Sequence, residues 1–258
     1  MSPVPAGADP VALVEAGLHA ACERAARARP IGAFDLFRIP VEHPFLRALA
    51  LPRAEPGGWE EPLRELVGCC AVEGVVPRIE LLAERRAALR AALGAEGWIR
   101  TLAVPVLVRA AGLEPAPAEP VIRLHAASER ALLAATLEAQ HAILGAAPPR
   151  PAEEEAFCAC LADGSVRTWV RLDEKGVPVA AASLLGGPPA VELAGLWTRP
   201  GRRRRGFARS VARAALAAAG AGGCRLVWAG AASAASAALL ESLGMVRLAT
   251  LESWERAG

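Results

Sequence analysis

The sequence predicts an α/β (α+β) protein with two domains, and three observations support this fold class. Along residues 120–258, short apolar runs typical of strands alternate with longer runs that have helical spacing. A proline-rich stretch, "LEPAPAEP" at 113–120, is typical of a linker. A related order of strand, helix and glycine occurs earlier in the chain. We therefore expect a smaller N-terminal domain over residues 1–115 and a second domain over residues 120–258.

The composition and the charge exclude several classes of partner. Apolar residues make up 53% of the 258 residues and charged residues 22%, which is enough for a packed core. The net charge is only +2, from 29 basic and 27 acidic residues, so no long-range field favours nucleic acid or a membrane surface. The sequence also has no signal-peptide pattern and no apolar stretch long enough to span a bilayer. We expect a cytoplasmic protein that binds neither nucleic acid nor membrane.

The cysteines and histidines do not have the spacing of a metal site. The six cysteines form no CxxC pair, and the four histidines are scattered along the chain. Buried free thiols in a reducing compartment are the expectation for such cysteines. We therefore predict no bound metal.

The first part of the predicted C-terminal domain indicates a strand, a helix and then a meander. "VIRLHAA" is typical of a strand, after which Ser128 is placed to cap a helix and Gly145 to end it. Polar turns then join three strand-like runs, "SVRTWVRL", "VPVAAASLL" and "VELAGLWT".

The rest of this domain indicates two further helices around a strand. The alanine-rich run 206–219 has helical spacing, and "CRLVWAG" at 224–230 is typical of a buried strand. Ser233 is placed to cap the last helix, which Gly244 ends. The tail "MVRLATLESW" predicts two short final strands.

Two segments, 77–98 and 224–245, share the order strand, helix, glycine and large apolar residue. In both segments, 19 positions separate an arginine at the start of the strand from the glycine after the helix. Two related domains would explain this equal spacing, and so would a chance match in an alanine-rich chain. No arginine cluster precedes the first segment, so a first copy would have lost any anion-binding turn.

Residues 199–206, "RPGRRRRG", hold five arginines between a strand-like run and a helical run. The first turn of a helix has unpaired N–H groups and the positive end of the helix dipole, so it attracts phosphate. Gly206 lets the backbone approach closely, and arginines add charge-assisted contacts. This pattern predicts a pyrophosphate site. A solvated loop and a nucleic-acid surface are the alternatives, although the latter expects a second basic cluster.

Residues 203–208, "RRRGFA", resemble the [QR]xxGx[GA] acyl-CoA motif of the GNAT superfamily of N-acetyltransferases, with Pro200 where these proteins commonly carry a proline. The resemblance extends in element order from Val121 to about Trp254, and "LLESLGM" is similar to the superfamily's later helix and its ending. It implies the GNAT fold, a central mixed and mostly antiparallel sheet flanked by helices. The N-terminal half looks like the degenerate first domain of tandem GNAT proteins.

The resemblance also implies how acetyl-CoA is held. The backbone of residues 196–198 would pair with the pantetheine arm as an added strand, and the N–H groups of residues 203–208 would hold the pyrophosphate. Ser233 either contacts the cofactor or only caps its helix. The implied cofactor-binding residues are Leu196, Trp197, Thr198, Arg203, Arg204, Arg205, Gly206, Phe207, Ala208 and Ser233.

Glu192 is the candidate general base. It precedes Gly206 by fourteen positions, a spacing similar to that of the general-base glutamate in histone-type GNAT enzymes. A base is useful because deprotonating an amine of pKa about 10.4 at pH 7 costs roughly 4.6 kcal/mol. Glu192 interrupts an apolar run, so its side chain faces either a wet cleft or an exposed face of the sheet. The tyrosine that the family frequently uses as general acid is absent, and its position aligns with Leu240.

The implied activity is transfer of an acetyl group from acetyl-CoA to a primary amine of a small-molecule or peptide acceptor, by a monomer or a homodimer. The missing tyrosine and the reduced first domain leave an inactive acyl-CoA-binding sensor or partner subunit as the alternative. His141 is a further candidate because its helix borders the acceptor cleft in this fold. The acidic run 153–155 either recognises a cationic acceptor or is a solvated loop.

Overall fold

The computed structural model describes residues 9–38, 48–112, 120–126, 128 and 130–256, so most of the predicted linker at 113–120 lies outside the described residues. The described residues form seven α-helices, one short 3₁₀ helix and eleven strands. The helices are α1 (Pro10–Ala25), α2 (Glu60–Val72), α3 (Ala87–Ala95), α4 (Arg130–Leu144), α5 (Pro151–Asp163), α6 (Phe207–Ala221) and α7 (Ala234–Ser242), with the 3₁₀ helix at Pro200–Arg202. The strands are β1 (Ala28–Ile31), β2 (Phe34–Phe37), β3 (Leu49–Pro52), β4 (Arg78–Leu82), β5 (Trp98–Ala110), β6 (Ile122–Arg123), β7 (Val166–Leu172), β8 (Pro178–Gly187), β9 (Ala190–Thr198), β10 (Leu226–Gly230) and β11 (Val246–Arg256).

All eleven strands belong to one sheet, in the order β1-β2-β3-β4-β11-β5-β10-β9-β8-β7-β6. Within the described residues, two neighbouring pairs are parallel, β3 with β4 and β9 with β10. The other pairs are antiparallel. The predicted α/β (α+β) class, with a mixed and mostly antiparallel sheet flanked by helices, is confirmed.

Helices cover both faces of this sheet, and the alternation of side chains along β10 shows which helix lies where. Leu226 and Trp228 pack in a core cluster with α1, whereas Val227 and Ala229 pack in a cluster with α6 and α7. On β8, Ala181 packs towards α4, and its neighbours Ala180 and Ala182 pack towards α6. Helices α1, α4 and α5 therefore share one face, and α6 and α7 cover the other.

The internal repeat is visible in the positions of the helices. Helix α2 begins at Glu60 and α6 at Phe207, and α3 begins at Ala87 and α7 at Ala234, so both helices recur 147 residues later. Each repeat has the order strand, helix, parallel strand, helix, strand, namely β3-α2-β4-α3-β5 and β9-α6-β10-α7-β11. Equal spacing together with equal topology favours two related units over a chance match.

The final strands of the two repeats are exchanged at the centre of the sheet. Strand β5 lies between β11 and β10, and β11 lies between β4 and β5. Each repeat's last strand therefore pairs with the parallel strands of the other repeat. The sheet is continuous across the division that the sequence predicts at residues 115–120, and the position of that division stays a prediction.

Three local predictions were wrong. Ser128 does not cap α4, because its Oγ instead accepts from the backbone N–H of His125 at 2.8 Å. The acidic run 153–155 lies in the first two turns of α5 and is not a loop, because Pro151 fits the first turn of a helix and Glu153 accepts from the Arg150 backbone N–H. The tail forms one strand, β11, whose two bulges absorb the irregular pattern.

Among the described residues, no helix combines the length and apolar character needed to cross a membrane.

The helix ends predicted from glycines are right, since Gly145 and Gly244 follow α4 and α7 with left-handed φ angles of 69° and 80°.

Candidate functional site

Strands β9 and β10 diverge and leave a wedge between them. Residues 190–198 of β9 pair with β8, but pairing with β10 stops at Glu192. Beyond that point, no strand of the described chain borders the second edge of β9. Gly195 on β9 and Gly230 at the end of β10 are both exposed, so backbone is accessible on both sides of the wedge.

A β-bulge shapes the β9 side of the wedge. Ala181 lies opposite Trp197 and Ser183 opposite Ala194, so one extra residue is inserted on β9 between these pairs. Gly195 takes a φ of 57° there, which a residue without a Cβ adopts at little cost. The bulge lies in the part of β9 that β10 leaves unpaired.

The three predicted pantetheine-binding residues lie directly after this bulge. Leu196 packs against the core on the α6 side, and Trp197 is buried on the α4 side. Thr198 is partly buried, and its Oγ has no hydrogen-bond partner within the described chain. Since the side chains are packed away, the backbone edge is what this segment offers to an extended ligand.

The arginine-glycine turn follows β9 and leads into α6. Arg204 and Gly206 have left-handed φ angles of 64° and 81°, and Arg204 is the sole non-glycine residue of the described chain with a positive φ. A non-glycine residue in this region is strained, typically by about 1–2 kcal/mol. Such strain in an exposed turn marks a conformation held for a purpose other than packing.

The turn presents a row of unused backbone donors. Within the described chain, the N–H groups of residues 204–209 donate to no oxygen, whereas Ser210 is the first residue to donate back to Gly206. Residues 203–206 are exposed and no strand covers them. They stand at the positive end of a 15-residue helix with no acidic residue in its first turn. These features are compatible with the anion site that the sequence predicts, and that site stays a prediction.

Some arginine side chains of this turn have hydrogen-bond partners within the chain, and others have none. Arg202 binds Asp173 at 2.9 Å, and the Nε of Arg203 approaches the Thr198 carbonyl oxygen at 3.4 Å. Arg204 and Arg205 are exposed and make no ion pair with a described acidic residue. Their guanidinium groups are therefore free to meet an anion at the turn.

Glu192 lies on the face of β9 that α1 and α4 cover. Its neighbours Val191 and Leu193 pack towards α6, so the Glu192 side chain points the other way. It lies beside Trp228 of β10 and Leu185 of β8. Burial raises the pKa of Glu192 to about 8, and the charge of Glu80 adds to the increase. Glu192 is half-buried beneath the helices on this side, so it does not lie on an exposed face of the sheet.

The remaining predicted residues have structural partners. Ser233 caps α7, since its Oγ accepts from the Ser236 backbone N–H at 3.2 Å. His141 contacts the carbonyl oxygen of Ala147 at 2.6 Å in the connection between α4 and α5. Leu240, where the family frequently has tyrosine, is buried in the core.

Sequence reasoning missed Gln140, which the structure brings to the site. Its Nε2 atom lies 4.0 Å from the position that a Cβ on Gly195 would occupy, close to the Ser183 hydroxyl. The helical spacing places Gln140 four residues after buried Thr136, on the side of α4 that faces the sheet. That signal gives the face of the helix but not the strand it meets.

No group of three or more metal-ligating side chains occurs among the described residues, and the six cysteines are free. Burial, together with nearby acidic charges, raises the pKa of Cys22 to about 12. This thiol is therefore protonated at neutral pH.

The open edge of β9 and the cationic turn before α6 lie within one segment that matches a family model. Residues 133–245 match the family described as "Acetyltransferase (GNAT) family". This segment is a GNAT acetyltransferase domain, and the family supports acyl transfer as the class of chemistry.

Solved structures show the same fold over nearly the whole chain. A GCN5-related N-acetyltransferase from Kribbella flavida is 24% identical with a TM-score of 0.69, and the match covers 96% of each chain. Another, from Sphaerobacter thermophilus, is 15% identical with a TM-score of 0.62, covering 100% of this chain and 95% of that one. A tandem GNAT protein from the clavulanic acid biosynthesis pathway is 14% identical with a TM-score of 0.60, covering 88% and 79%. No curated protein sequence matches this chain.

Proposed function

We propose that the chain is an N-acetyltransferase that moves an acetyl group from acetyl-CoA to a primary amine. The observation that carries this proposal is the wedge between β9 and β10 together with the unused N–H groups of residues 204–209. The wedge offers backbone to an extended arm, and the turn offers donors to a diphosphate. An acyl-CoA has both parts in one molecule.

In this proposal each predicted cofactor residue has a defined task. Residues 196–198 pair through their free backbone edge with the pantetheine amides. Residues 204–208 hold the pyrophosphate through N–H groups, and Arg203, whose N–H already donates to the Pro200 carbonyl oxygen, contributes only its side chain. Ser233 lies at the start of α7, next to the end of β10, where a polar contact with the cofactor is compatible with its role as a cap.

Glu192 is proposed as the general base. The acetyl-CoA thioester supplies an electrophilic carbonyl carbon. The nitrogen lone pair of the amine forms a bond to that carbon, the carbon–sulfur bond breaks, and the electron pair leaves with sulfur. Glu192 takes the proton that the nitrogen loses, and a backbone N–H of residues 196–198 stabilises the oxyanion. A carboxylate with a pKa near 8 is well matched to this task at neutral pH.

The leaving thiolate needs no tyrosine in this mechanism. A thiol with a pKa of about 8.5 is a tolerable leaving group, and Leu240 supplies no proton. General acid catalysis contributes typically about 10²–10⁴-fold, so turnover without it is expected to be slow but measurable.

The N-terminal repeat is proposed as a degenerate GNAT-like domain without a cofactor site of its own. Its helix α2 corresponds to α6, but Glu60 and Glu61 occupy the first turn, where α6 has no acidic residue. Two carboxylates at a helix N-terminus repel phosphate. A single acyl-CoA per chain follows.

The test compares the Arg204→Ala/Arg205→Ala double variant with Arg213→Ala, which removes an exposed arginine further along α6. Loss of two charge-assisted contacts should weaken acetyl-CoA binding by about tenfold or more, measured by calorimetry, whereas Arg213→Ala should bind normally. If both variants bound acetyl-CoA equally well, the turn would not be part of the acetyl-CoA site.

Thiol release is then measured with a panel of amines. Tight binding without release for any amine would establish the sensor alternative.

A further inference from the structure

A cleft with a volume of about 440 Å³ lies on the face of the sheet that carries α3, away from Glu192. Its walls come from α3, from the turn that precedes α3, and from strands β5 and β11. On β11, Ala249 and Leu251 pack with α1, so Thr250 and Glu252 point to the opposite face, into this cleft. The first repeat therefore supplies α3 and β5 to the cleft, and the second repeat supplies β11.

Two arginines on the walls of the cleft converge on a buried carboxylate. Glu252 is 1% exposed, and its Oε1 accepts from Nη1 of Arg100 at 2.8 Å. Its Oε2 lies 3.1 Å from Nε of Arg90 and accepts from Nε1 of Trp254 at 3.1 Å. Both arginine side chains nevertheless stay nearly half exposed, at 48% for Arg90 and 45% for Arg100. Glu252 therefore holds two guanidinium groups in place while their outer parts remain accessible.

Each guanidinium group keeps N–H donors for a ligand. Arg90 contacts Glu252 through Nε, so its two amino groups form no hydrogen bond within the described chain. Arg100 uses one of its five N–H donors on Glu252. Ala87, the first residue of α3, lines the same cleft, and α3 has neither a side-chain cap nor an acidic residue in its first turn. The helix dipole adds to the positive charge of the two arginines, and this part of the cleft favours a carboxylate.

The cleft also holds a carboxylate that is available to a cation. Glu84 lies in the turn before α3, and its two oxygens accept from the backbone N–H of Thr250 at 2.8 Å and from its hydroxyl at 2.9 Å. Each oxygen keeps a further lone pair, and Glu84 is exposed and forms no ion pair within the described chain. Glu252, in contrast, is buried and already surrounded by three donors. Glu84 is therefore the carboxylate that an ammonium group can reach.

We propose that this cleft binds a free α-amino acid, with its carboxylate on Arg90 and Arg100 and its ammonium group on Glu84. The rest of the lining includes Ala83, Ala87 and Ala103, whose small side chains leave the space between the charged groups open. The volume is in the range of small-molecule sites. A ligand with a single charge would match only one of the two kinds of charged group. The site shares no residue with the proposed acyl-CoA site at residues 196–208, and acetyl transfer is not required for it.

The experiment measures binding of the common L-amino acids to the full chain without acetyl-CoA. An amino acid that binds should raise the Tm by roughly 5 °C at about 100 times its Kd, because it binds only the folded state. Calorimetry then compares that amino acid with its amide, which lacks the carboxylate, and with its N-acetyl derivative, which lacks the ammonium group. Both derivatives should bind at least about tenfold more weakly.

Variants show whether binding occurs in this cleft. Glu84→Gln keeps an oxygen acceptor for Thr250 but removes the charge, and Ala103→Leu fills the space without changing any charge. Each should weaken amino-acid binding about tenfold or more, whereas Glu96→Gln, an exposed change at the other end of α3, should bind normally. Circular dichroism checks that the variants are folded.

Three results would overturn this inference. They are the absence of binding by every amino acid, equal binding of the amide or the N-acetyl derivative, and normal binding by both folded cleft variants. Acetyl-CoA binding and thiol release are measured separately, so none of these results bears on the proposed acetyl transfer.

Discussion

At the scale of single residues, the environment of Glu192 sets a pH dependence. Burial raises the pKa of this carboxyl group from its ordinary value of 4.5 to about 8, and the charge of Glu80 adds to the increase. A general base works only when deprotonated, so kcat/KM for acetyl transfer should rise with pH and level off above about 8. Glu192→Gln should lower kcat/KM by about 10²–10⁴-fold and abolish this rise. A profile unchanged in Glu192→Gln would show that another group is the base.

The same residue links stability to pH, and the sign follows from the direction of the shift. The folded state holds the proton up to about pH 8, whereas the unfolded state loses it near pH 4.5. The free energy of unfolding therefore falls as pH rises between these values and is flat above them. Glu192→Gln removes this loss and should be more stable than the parent at pH 8, by roughly 1–2 kcal/mol. Glu138→Gln, at an exposed position, is the matched control in denaturant titrations.

What the sequence predicts for single residues is limited by tertiary packing. The spacing from Gly206 identifies Glu192, but which face of the sheet it occupies depends on strand register and on the helices above it. Gln140 was missed because helical periodicity shows that it faces the sheet without showing that it meets the bulge at Gly195. The turn at 203–206 was accessible to sequence reasoning because glycine and arginine act there through local chemistry.

At the scale of elements, the close approach of α1 to the sheet depends on one glycine. A Cβ on Gly17 would lie 3.2 Å from the Nε1 atom of Trp228 and 3.1 Å from the carbonyl oxygen of Ala190. Gly17→Ala should therefore push α1 away and lower the free energy of unfolding by about 1–3 kcal/mol, despite the better helix propensity of alanine.

The matched control for Gly17→Ala is Gly68→Ala. Gly68 is an exposed glycine inside α2, and no atom lies within 4 Å of a Cβ added to it. Gly68→Ala should raise the free energy of unfolding by about 0.5–1 kcal/mol, because alanine is the better helix former. Urea titrations of both variants measure the two effects. If Gly17→Ala were also stabilising, α1 would not be packed against β9 and β10 as described.

Elements were predicted well where one local pattern decides, and poorly where two patterns compete. Helices α6 and α7 follow from their spacing and end signals. Helix α5 was missed because prolines that precede it resemble a break, although Pro151 occupies the first turn. Two strands were predicted in place of β11 because its bulges interrupt the alternation of side chains.

At the scale of the whole molecule, the sequence predicts the spacing of the two repeats but not the exchange of their last strands. Strands β5 and β11 are both flanked by other strands, so pairing within a repeat and pairing between repeats satisfy the same side-chain pattern. The choice is made by long-range contacts in the sheet, where β5 joins β10 and β11 joins β4. A consequence is that neither repeat contains all the strands that complete its own part of the sheet.

This exchange predicts that the two halves fold only together. A fragment ending at residue 116 lacks β11 beside β4, and a fragment beginning at residue 117 lacks β5 between β10 and β11. Each removal exposes strand edges and apolar residues, namely Val106 and Val108 of β5 in the first fragment and Leu226 and Trp228 of β10 in the second. We expect neither fragment alone to show a cooperative denaturation transition, and the two co-expressed fragments to associate and regain one. Circular dichroism during urea titration measures this. A cooperative transition in the fragment 117–258 alone, with acetyl-CoA binding retained, would show instead that the C-terminal domain is independent.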